Sequence, residues 1–264
     1  MSVPERPVAN VIAFAPERRE RLRQIVRARR AVRVEDLRAE LGVSVATIRR
    51  DLDELEETGA LRRVHGGAIS VDERAVEARF EAKAAEHAAE KRRIAARALE
   101  LVGREETIYL DSGSTVLELA RLLVGRSDLT VVTNSLPAVV ELAGQGPRLV
   151  VIGGELRPLS RAIVGPLTLP LLDQVFVDRA FMGTFSLSLD AGLTTTDPAE
   201  AFTKERVLGR AREVVLLVDG SKLGTRSFAH AGRLDEIDVV VTDAPLDPEA
   251  ATIFDEAGVQ VLVA

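Results

Sequence analysis

Apolar positions recur with helical spacing through the first part of the chain and with strand-like runs through the rest. Between Glu17 and Arg30, Leu22, Ile25 and Val26 share one helical stripe. Glu35–Leu41 predicts a second, short helix, with Leu37 and Leu41 four residues apart and Gly42 placed for a left-handed C-cap. Val43 and Ser44 form a tight turn, and Ser44 is a good N-cap for a third helix. That helix carries Ile48, Leu52 and Leu55 on its buried side, leaving Val45, Thr47, Arg49 and Arg50 on other faces, and ends at Gly59. Residues Ala60–Val71 alternate loosely around Arg62, Arg63 and His65, with Gly66-Gly67 as the turn of a β-wing.

From Asp72 to Gly103 the composition shifts to Ala, Glu, Lys and Arg, with Ile94, Ala98 and Leu101 on one stripe. This predicts a connector and a helix over 72–102, between a domain at 17–71 and another at 103–264. The later domain alternates apolar strand runs with helical patterns, which favours a mostly parallel α/β sheet. The expected strands are Thr107–Leu110, Leu129–Thr133, Arg148–Ile152, Arg179–Met182, Glu213–Val218, Asp238–Thr242 and Val259–Val263. The expected helices are Thr115–Leu123, Pro137–Ala143, Pro198–Ala211 and Pro248–Ala257. The fold class is therefore an α+β N-terminal winged helix-turn-helix followed by an α/β domain. Residues 1–16 include a short apolar run interrupted by Asn10 and read as a flexible extension of a cytoplasmic protein.

Charge sharpens the first half of this picture. The net charge is −6, yet residues 17–71 hold 13 Arg and 10 acidic residues, or +3, and no Lys. Guanidinium groups suit bidentate phosphate and guanine contacts, although charge runs also serve as solvated helix faces. Helix, short helix, turn and a third helix with paired arginines form a layout that places the third helix in a DNA major groove. Ser44 and Thr47 are then phosphate donors, and Arg49 or Arg50 reaches a base edge. With Val45 on the same helix and Arg63 and His65 on the wing, these residues form the candidate DNA-contacting set. The acidic residues Asp51, Asp53, Glu54, Glu56 and Glu57 would repel phosphate unless they point away or pair with arginines of the first helix.

Composition excludes several chemistries. The chain has no Cys, three scattered His and no Trp, so disulfides and thiolate sites are ruled out, the low aromatic content argues against stacking platforms for single strands, and no metal or cofactor is expected. No apolar run reaches the ~20 residues of a membrane span. In the α/β domain, Asp111-Ser112-Gly113-Ser114-Thr115 joins a strand to a helix, a turn that suits a phosphate but also caps ordinary helices. Thr133-Asn134, Gly153-Gly154 and Gly183 fall at the ends of the next strands, where open sheets bind ligands. Glu200 and Lys204 read either as a surface i, i+4 pair or as a site with Lys204 over a ligand. Lys222, in Asp219-Gly220-Ser221-Lys222, reads either as a second anion contact or as part of a solvated turn.

Val43-Ser44-Val45-Ala46-Thr47-Ile48-Arg49-Arg50-Asp51-Leu52, then Leu55-Glu56, Gly59 and Arg63-Val64-His65-Gly66-Gly67-Ala68, resemble the signature of the DeoR family of bacterial transcriptional regulators. The similarity runs over roughly residues 17–245. It implies a regulator, usually a repressor of carbohydrate-metabolism genes, that binds a double-stranded DNA operator as a homo-oligomer. It also implies an effector domain similar in fold to sugar-phosphate isomerases, binding a phosphorylated sugar or polyol. By that resemblance Asp111, Gly113, Ser114, Thr115, Thr133, Asn134, Gly153, Gly154, Lys204 and Lys222 line the effector pocket. Two positions depart from the family pattern: Ser114 replaces the commoner Thr, and Lys83 stands where Arg is usual. An active isomerase is the competing reading, since Glu200 or Asp111 could act as its carboxylate base. The stretch Phe181–Ser188, however, lacks the acidic cluster expected of pentose-phosphate enzymes. A nucleotide switch is disfavoured because the turn has neither phosphate-loop glycine pattern.

Overall fold

The computed structural model describes residues 15–29, 31–57, 61–64, 67–69 and 80–264. The chain divides into two compact units, Met1–Val76 and Glu77–Ala264. Among the described residues, no helix is long and apolar enough to cross a membrane, and no group of His, Asp and Glu is placed to hold a metal ion.

The first unit contains α1 (Ala15–Arg29), β1 (Ala31–Arg33), α2 (Val34–Leu41), α3 (Val45–Glu57), β2 (Arg62–Val64) and β3 (Gly67–Ile69). Ala15 and Pro16, expected in the extension, are already helical, while residues 1–14 lie outside the described residues. The helices close over a core of Leu22, Ile25, Val26, Leu37, Leu41, Ile48, Leu52 and Leu55, each buried. Gly42 ends α2 at φ 68 and donates to the Arg38 carbonyl, a conformation that strains residues with a Cβ. Ser44 starts α3 by accepting the Thr47 backbone N–H at 3.1 Å. The sheet is ordered β1-β3-β2, and its strand β1 was hidden by its three-residue length between two helices.

One expectation for this unit is corrected. Gly67 is not a turn residue; it opens β3 opposite Arg33 and Val64. A Cβ on Gly67 would fall 2.1 Å from the Val32 carbonyl oxygen, so close strand approach is what requires glycine here. Gly59, His65 and Gly66 lie outside the described residues.

The second unit opens with α4 (Phe80–Ala85) and α5 (Ala88–Leu99), so the helical part of the expected connector packs with this unit. Then come β4 (Thr107–Leu110), α6 (Ser114–Leu122), β5 (Thr130–Thr133), α7 (Leu136–Leu142) and β6 (Arg148–Val151). A hairpin, β7 (Glu155–Arg157) and β8 (Ala162–Val164), and a short helix α8 (Leu169–Leu172) lead to β9 (Val177–Met182). A second hairpin, β10 (Ser186–Ser188) and β11 (Gly192–Thr195), precedes α9 (Pro198–Leu208) and β12 (Ala211–Leu217). The chain ends in β13 (Ala229–Gly232), β14 (Val239–Thr242), α10 (Pro248–Glu256) and β15 (Gln260–Val263). The helix expected to reach Ala211 stops at Leu208, and Ala211 already belongs to β12.

Seven strands form one parallel sheet in the order β15-β14-β12-β9-β4-β5-β6. Connections run one way from β4 to β6 and the other way from β9 to β15, so the order reverses between β4 and β9. The sheet is buried on both faces, by a cluster around Tyr109, Met182, Leu216 and Phe254 and by another around Ile94, Ile108, Leu119 and Phe181. Such a reversal point opens a crevice beyond the strands' carboxyl ends.

Candidate functional site

Both units carry a candidate site. In the first, α3 separates its charges by face. Arg18 of α1 donates to both carboxylate oxygens of Asp51, at 2.6 and 3.1 Å, with both side chains buried. The Asp51 hydrogen bond holds the Arg18 guanidinium above its ordinary basicity. Arg19 pairs with Glu54, Arg63 pairs with Asp53, and Glu56 accepts the Arg63 backbone N–H at 2.7 Å. Four of the five acidic residues that would repel DNA are thus engaged by arginines or the wing. Arg49 and Arg50 are exposed, as is Ser44, and Val45 and Thr47 are half-buried beside them. Arg63 is turned onto Asp53 rather than standing apart on the wing, and His65 lies outside the described residues.

In the second unit a cleft opens at the reversal point between β4 and β9. It is lined by the β4–α6 turn (Ser112, Gly113, Ser114, Thr115), the segment after β9 (Gly183, Thr184, Phe185), Thr195, Glu200 and Lys204, and Asp219 and Lys222 after β12. Asp111, 1% exposed, ties the two central strands together. Its N–H donates to the Phe181 carbonyl at 3.0 Å, and its Oδ2 accepts the Gly183 N–H at 3.0 Å. Lys204, 5% exposed, is paired with the same Oδ2 and donates to the Gly183 carbonyl at 2.9 Å. Asp111 Oδ1 is buried without a partner among the described residues.

The reading of Glu200 and Lys204 as a surface pair does not hold. Both are buried, and they face different partners. Glu200 accepts from Arg157 at 3.2 Å and from the Thr195 hydroxyl at 3.0 Å, and Arg157 also pairs with Asp197 at 3.1 Å. Asp197 in turn caps α9 through the Ala199 and Glu200 N–H groups. The first turn of α6, in contrast, has no side-chain cap, so its N–H groups and the positive end of the helix face the cleft.

Five expected pocket residues do not line this cleft; one of them, Asp111, lies directly behind it, bonded to the lining residues Gly183 and Lys204. Thr133 donates to the Leu110 carbonyl and accepts the Ser135 N–H, holding the ends of β4 and β5 together. Asn134 is bonded to Ile163 of β8 through its side chain and its backbone carbonyl. Gly153 and Gly154 follow β6 and lead into the hairpin, where a Cβ on Gly154 would lie 2.9 Å from Ile163 Cγ2. The β7–β8 hairpin thus occupies the strand ends on that side, whereas the cleft belongs to β4, β9 and β12.

The sequence reading missed other lining residues. Phe80 and Lys83 of α4, Glu86 and His87 of the turn that follows, and Lys91 of α5 line the cleft, as does Ser160 of the β7–β8 turn. Lys91, 4% exposed, donates to the carbonyls of Lys83 and Glu86. Burial pulls its ammonium below its ordinary value of 10.5; Asp219 opposes this and Lys222 adds to it. A lysine on the apolar stripe side of α5 was the available signal.

A model of the DeoR C-terminal sensor domain matches residues 86–244, and one of the DeoR-like helix-turn-helix domain matches residues 18–74. The chain belongs to the DeoR family. Among its DeoR relatives is the HTH-type transcriptional regulator GlpR of Haloferax volcanii, 38% identical over 93% of this chain and 96% of the relative. The glycerol-3-phosphate regulon repressor of Escherichia coli K12 is 34% identical over 84% of this chain and 88% of the relative. Ribose 5-phosphate isomerase A of Methanocaldococcus jannaschii overlaps 52% of this chain and 55% of its own, at 24% identity and a TM-score of 0.40. A likeness that low carries no argument about activity. This DeoR protein is a DNA-binding transcriptional regulator and not an enzyme, in keeping with relatives named as regulators.

Proposed function

We propose that this protein is a cytoplasmic repressor of carbohydrate-metabolism genes that releases its operator when a phosphorylated sugar or polyol fills the cleft of the sensor domain. One observation carries the effector half: the cleft is lined by two chemically different sets of groups. One set is the uncapped first turn of α6 and the Lys222 ammonium, donors for an anion. The other is Lys204, backed by Asp111, with Glu200 and Thr195, acceptors and donors for hydroxyl groups. The proposed contacts are Asp111, Gly113, Ser114, Thr115, Lys204 and Lys222; Thr133, Asn134, Gly153 and Gly154 are left to shaping the adjoining hairpin. A relative named for the glycerol-3-phosphate regulon supports the same ligand class.

For DNA, the pairing of Asp51, Asp53 and Glu54 supports the assignment of Arg49 and Arg50 to base edges, with Ser44 and Thr47 on phosphates and Val45 beside them. A homo-oligomer presents two such helices to repeated half-sites. The ligand favours the arrangement in which they no longer match, by its differential affinity for the two states, typically ~1–3 kcal/mol.

The test is fluorescence anisotropy on DNA from upstream of the protein's own gene, at fixed salt with competitor DNA and a panel of sugar and polyol phosphates. Specific binding released by one panel member is expected. Specific binding that no phosphate ester changes defeats the effector assignment. Replacing Arg49 or Arg50 by Ala is expected to weaken operator binding by ~1–3 kcal/mol. An equal loss on random DNA would make that residue a phosphate contact instead.

A further inference from the structure

We infer that Arg157, carried by the β7–β8 hairpin, is a positioning residue of the cleft: it fixes Glu200 as an acceptor for ligand hydroxyl groups and so sets which phosphate esters are bound. The inference rests on the phosphate-ester reading of the cleft and names the residue behind its selectivity. Arg157 is not among the lining residues; it reaches Glu200, which is, from outside the cleft. Its guanidinium spans two carboxylates at the start of α9. Nη1 donates to Glu200 Oε1 at 3.2 Å, and Nε lies 3.1 Å from Asp197 Oδ2. Each carboxylate divides its oxygens between Arg157 and other donors. Asp197 Oδ1 accepts the Ala199 and Glu200 N–H groups at 2.9 and 3.1 Å, and Glu200 Oε2 accepts the Thr195 hydroxyl at 3.0 Å. A planar fork of donors can serve both acids at once, whereas a lysine ammonium is a single point charge.

Glu200 is thus held from two sides, while an ionised carboxylate has about four acceptor sites. The remaining sites suit a neutral O–H donor and repel a second anionic group. Arg157 offsets the carboxylate's charge from outside, which lets Glu200 share a cleft with an anion-binding helix turn. The ligand class that fits carries one phosphate and free hydroxyl groups. The hairpin that delivers Arg157 is anchored on both sides. Ser135 is bridged to Ala162, the Leu136 N–H donates to the Arg161 carbonyl at 3.0 Å, and Asn134 bonds Ile163. At its exit the Gly165 N–H donates to the Ala199 carbonyl at 3.1 Å and to the Thr203 hydroxyl at 2.9 Å, both on α9. The residues after β5 therefore act on the ligand through the hairpin they hold.

The test uses the full chain and calorimetric titration with two esters of equal charge, glycerol 3-phosphate and propyl phosphate, which lacks both hydroxyls. Their affinity ratio cancels any effect of a substitution on the overall charge of the cleft. The unmodified protein is expected to favour glycerol 3-phosphate about ten- to a hundredfold, the size of one charge-assisted hydrogen bond. R157M is expected to lower that ratio about tenfold, and R157K to restore part of it. E200Q is expected to lower the ratio as well, and adding R157M to E200Q to change it no further, because Arg157 acts through Glu200. D197N, which keeps the α9 cap and the Arg157–Glu200 contact, is expected to leave the ratio unchanged. Where R157M loosens the hairpin, seen as lost amide protection over residues 155–164, R157K is read in its place. A ratio unchanged by the Arg157 substitution overturns the inference, as does an equal loss in D197N or a full further loss in the E200Q background. Equal affinity of the unmodified protein for the two esters overturns it while leaving the phosphate reading intact. No binding of either ester overturns both.

Discussion

Arg18 and Asp51 meet under the surface of the helix-turn-helix unit, joining α1 to α3 by two hydrogen bonds of 2.6 and 3.1 Å. The pair sits one residue beyond Arg50, which is exposed, so adjacent positions of α3 divide between core and solvent. An acidic residue beside the paired arginines is thereby removed from the face proposed to read DNA.

Replacing either partner alone leaves the other charge buried without its counter-ion, at about 3–5 kcal/mol. Arg18→Met and Asp51→Leu are each expected to speed amide exchange at Leu22 and Leu52, and the double variant to recover most of the loss. Singles as protected as the unmodified protein would mean that the pair is solvated and contributes little.

Gly67→Ala is expected to separate β3 from β1, because its methyl group would fall 2.1 Å from the Val32 oxygen. Overpacking of this kind costs about 1–3 kcal/mol. The wing is expected to lose amide protection and operator affinity to fall, with ligand binding in the sensor domain unchanged. Normal protection across Ala31–Arg33 and Gly67–Ile69 in the variant would show that the strands yield without cost.

The parallel sheet was legible because its strands are apolar runs such as Val214–Val218 and Val239–Thr242, bounded by turn residues. The hairpins were not: Glu155–Arg157 and Ser186–Ser188 are three residues long and show no alternation that separates them from loop. For the site, the expectation that polar residues at strand ends converge holds around the reversal of strand order, at Asp111 and Gly183, and fails at Asn134 and Gly154, where the hairpin fills the space. Lys204 drew attention through Glu200, four residues away. Its partner Asp111 lies 93 positions back in sequence, a pairing set by topology that spacing cannot reveal.

Lys204→Met is expected to destabilise the sensor domain by about 3–5 kcal/mol, since Asp111 would keep its buried charge with only the Gly183 N–H to meet it. A K204M/D111N double variant is expected to regain stability, bind DNA and ignore phosphate esters. Denaturant unfolding and anisotropy separate these effects. Normal induction in the double variant would remove both residues from the proposed contacts.

Tyr109, in the central strand β4, is the only tyrosine of a chain without tryptophan, so tyrosinate absorbance reports this position alone. The ring is 1% exposed and its hydroxyl has no partner among the described residues. Burial, reinforced by the Asp111 charge, holds the phenol well above its ordinary value of 10.0. Above pH 10.0 the unfolded chain has released a proton that the native chain still binds, so stability falls as pH rises through that window. The native protein is expected to show no tyrosinate until it unfolds, with absorbance and loss of helical signal arriving together. Tyr109→Phe removes no hydrogen bond among the described residues and is expected to flatten this part of the alkaline decline at little cost in neutral solution. A reversible tyrosinate transition near pH 10.0 in the folded protein would show that solvent reaches the hydroxyl and that the strand below the cleft is open.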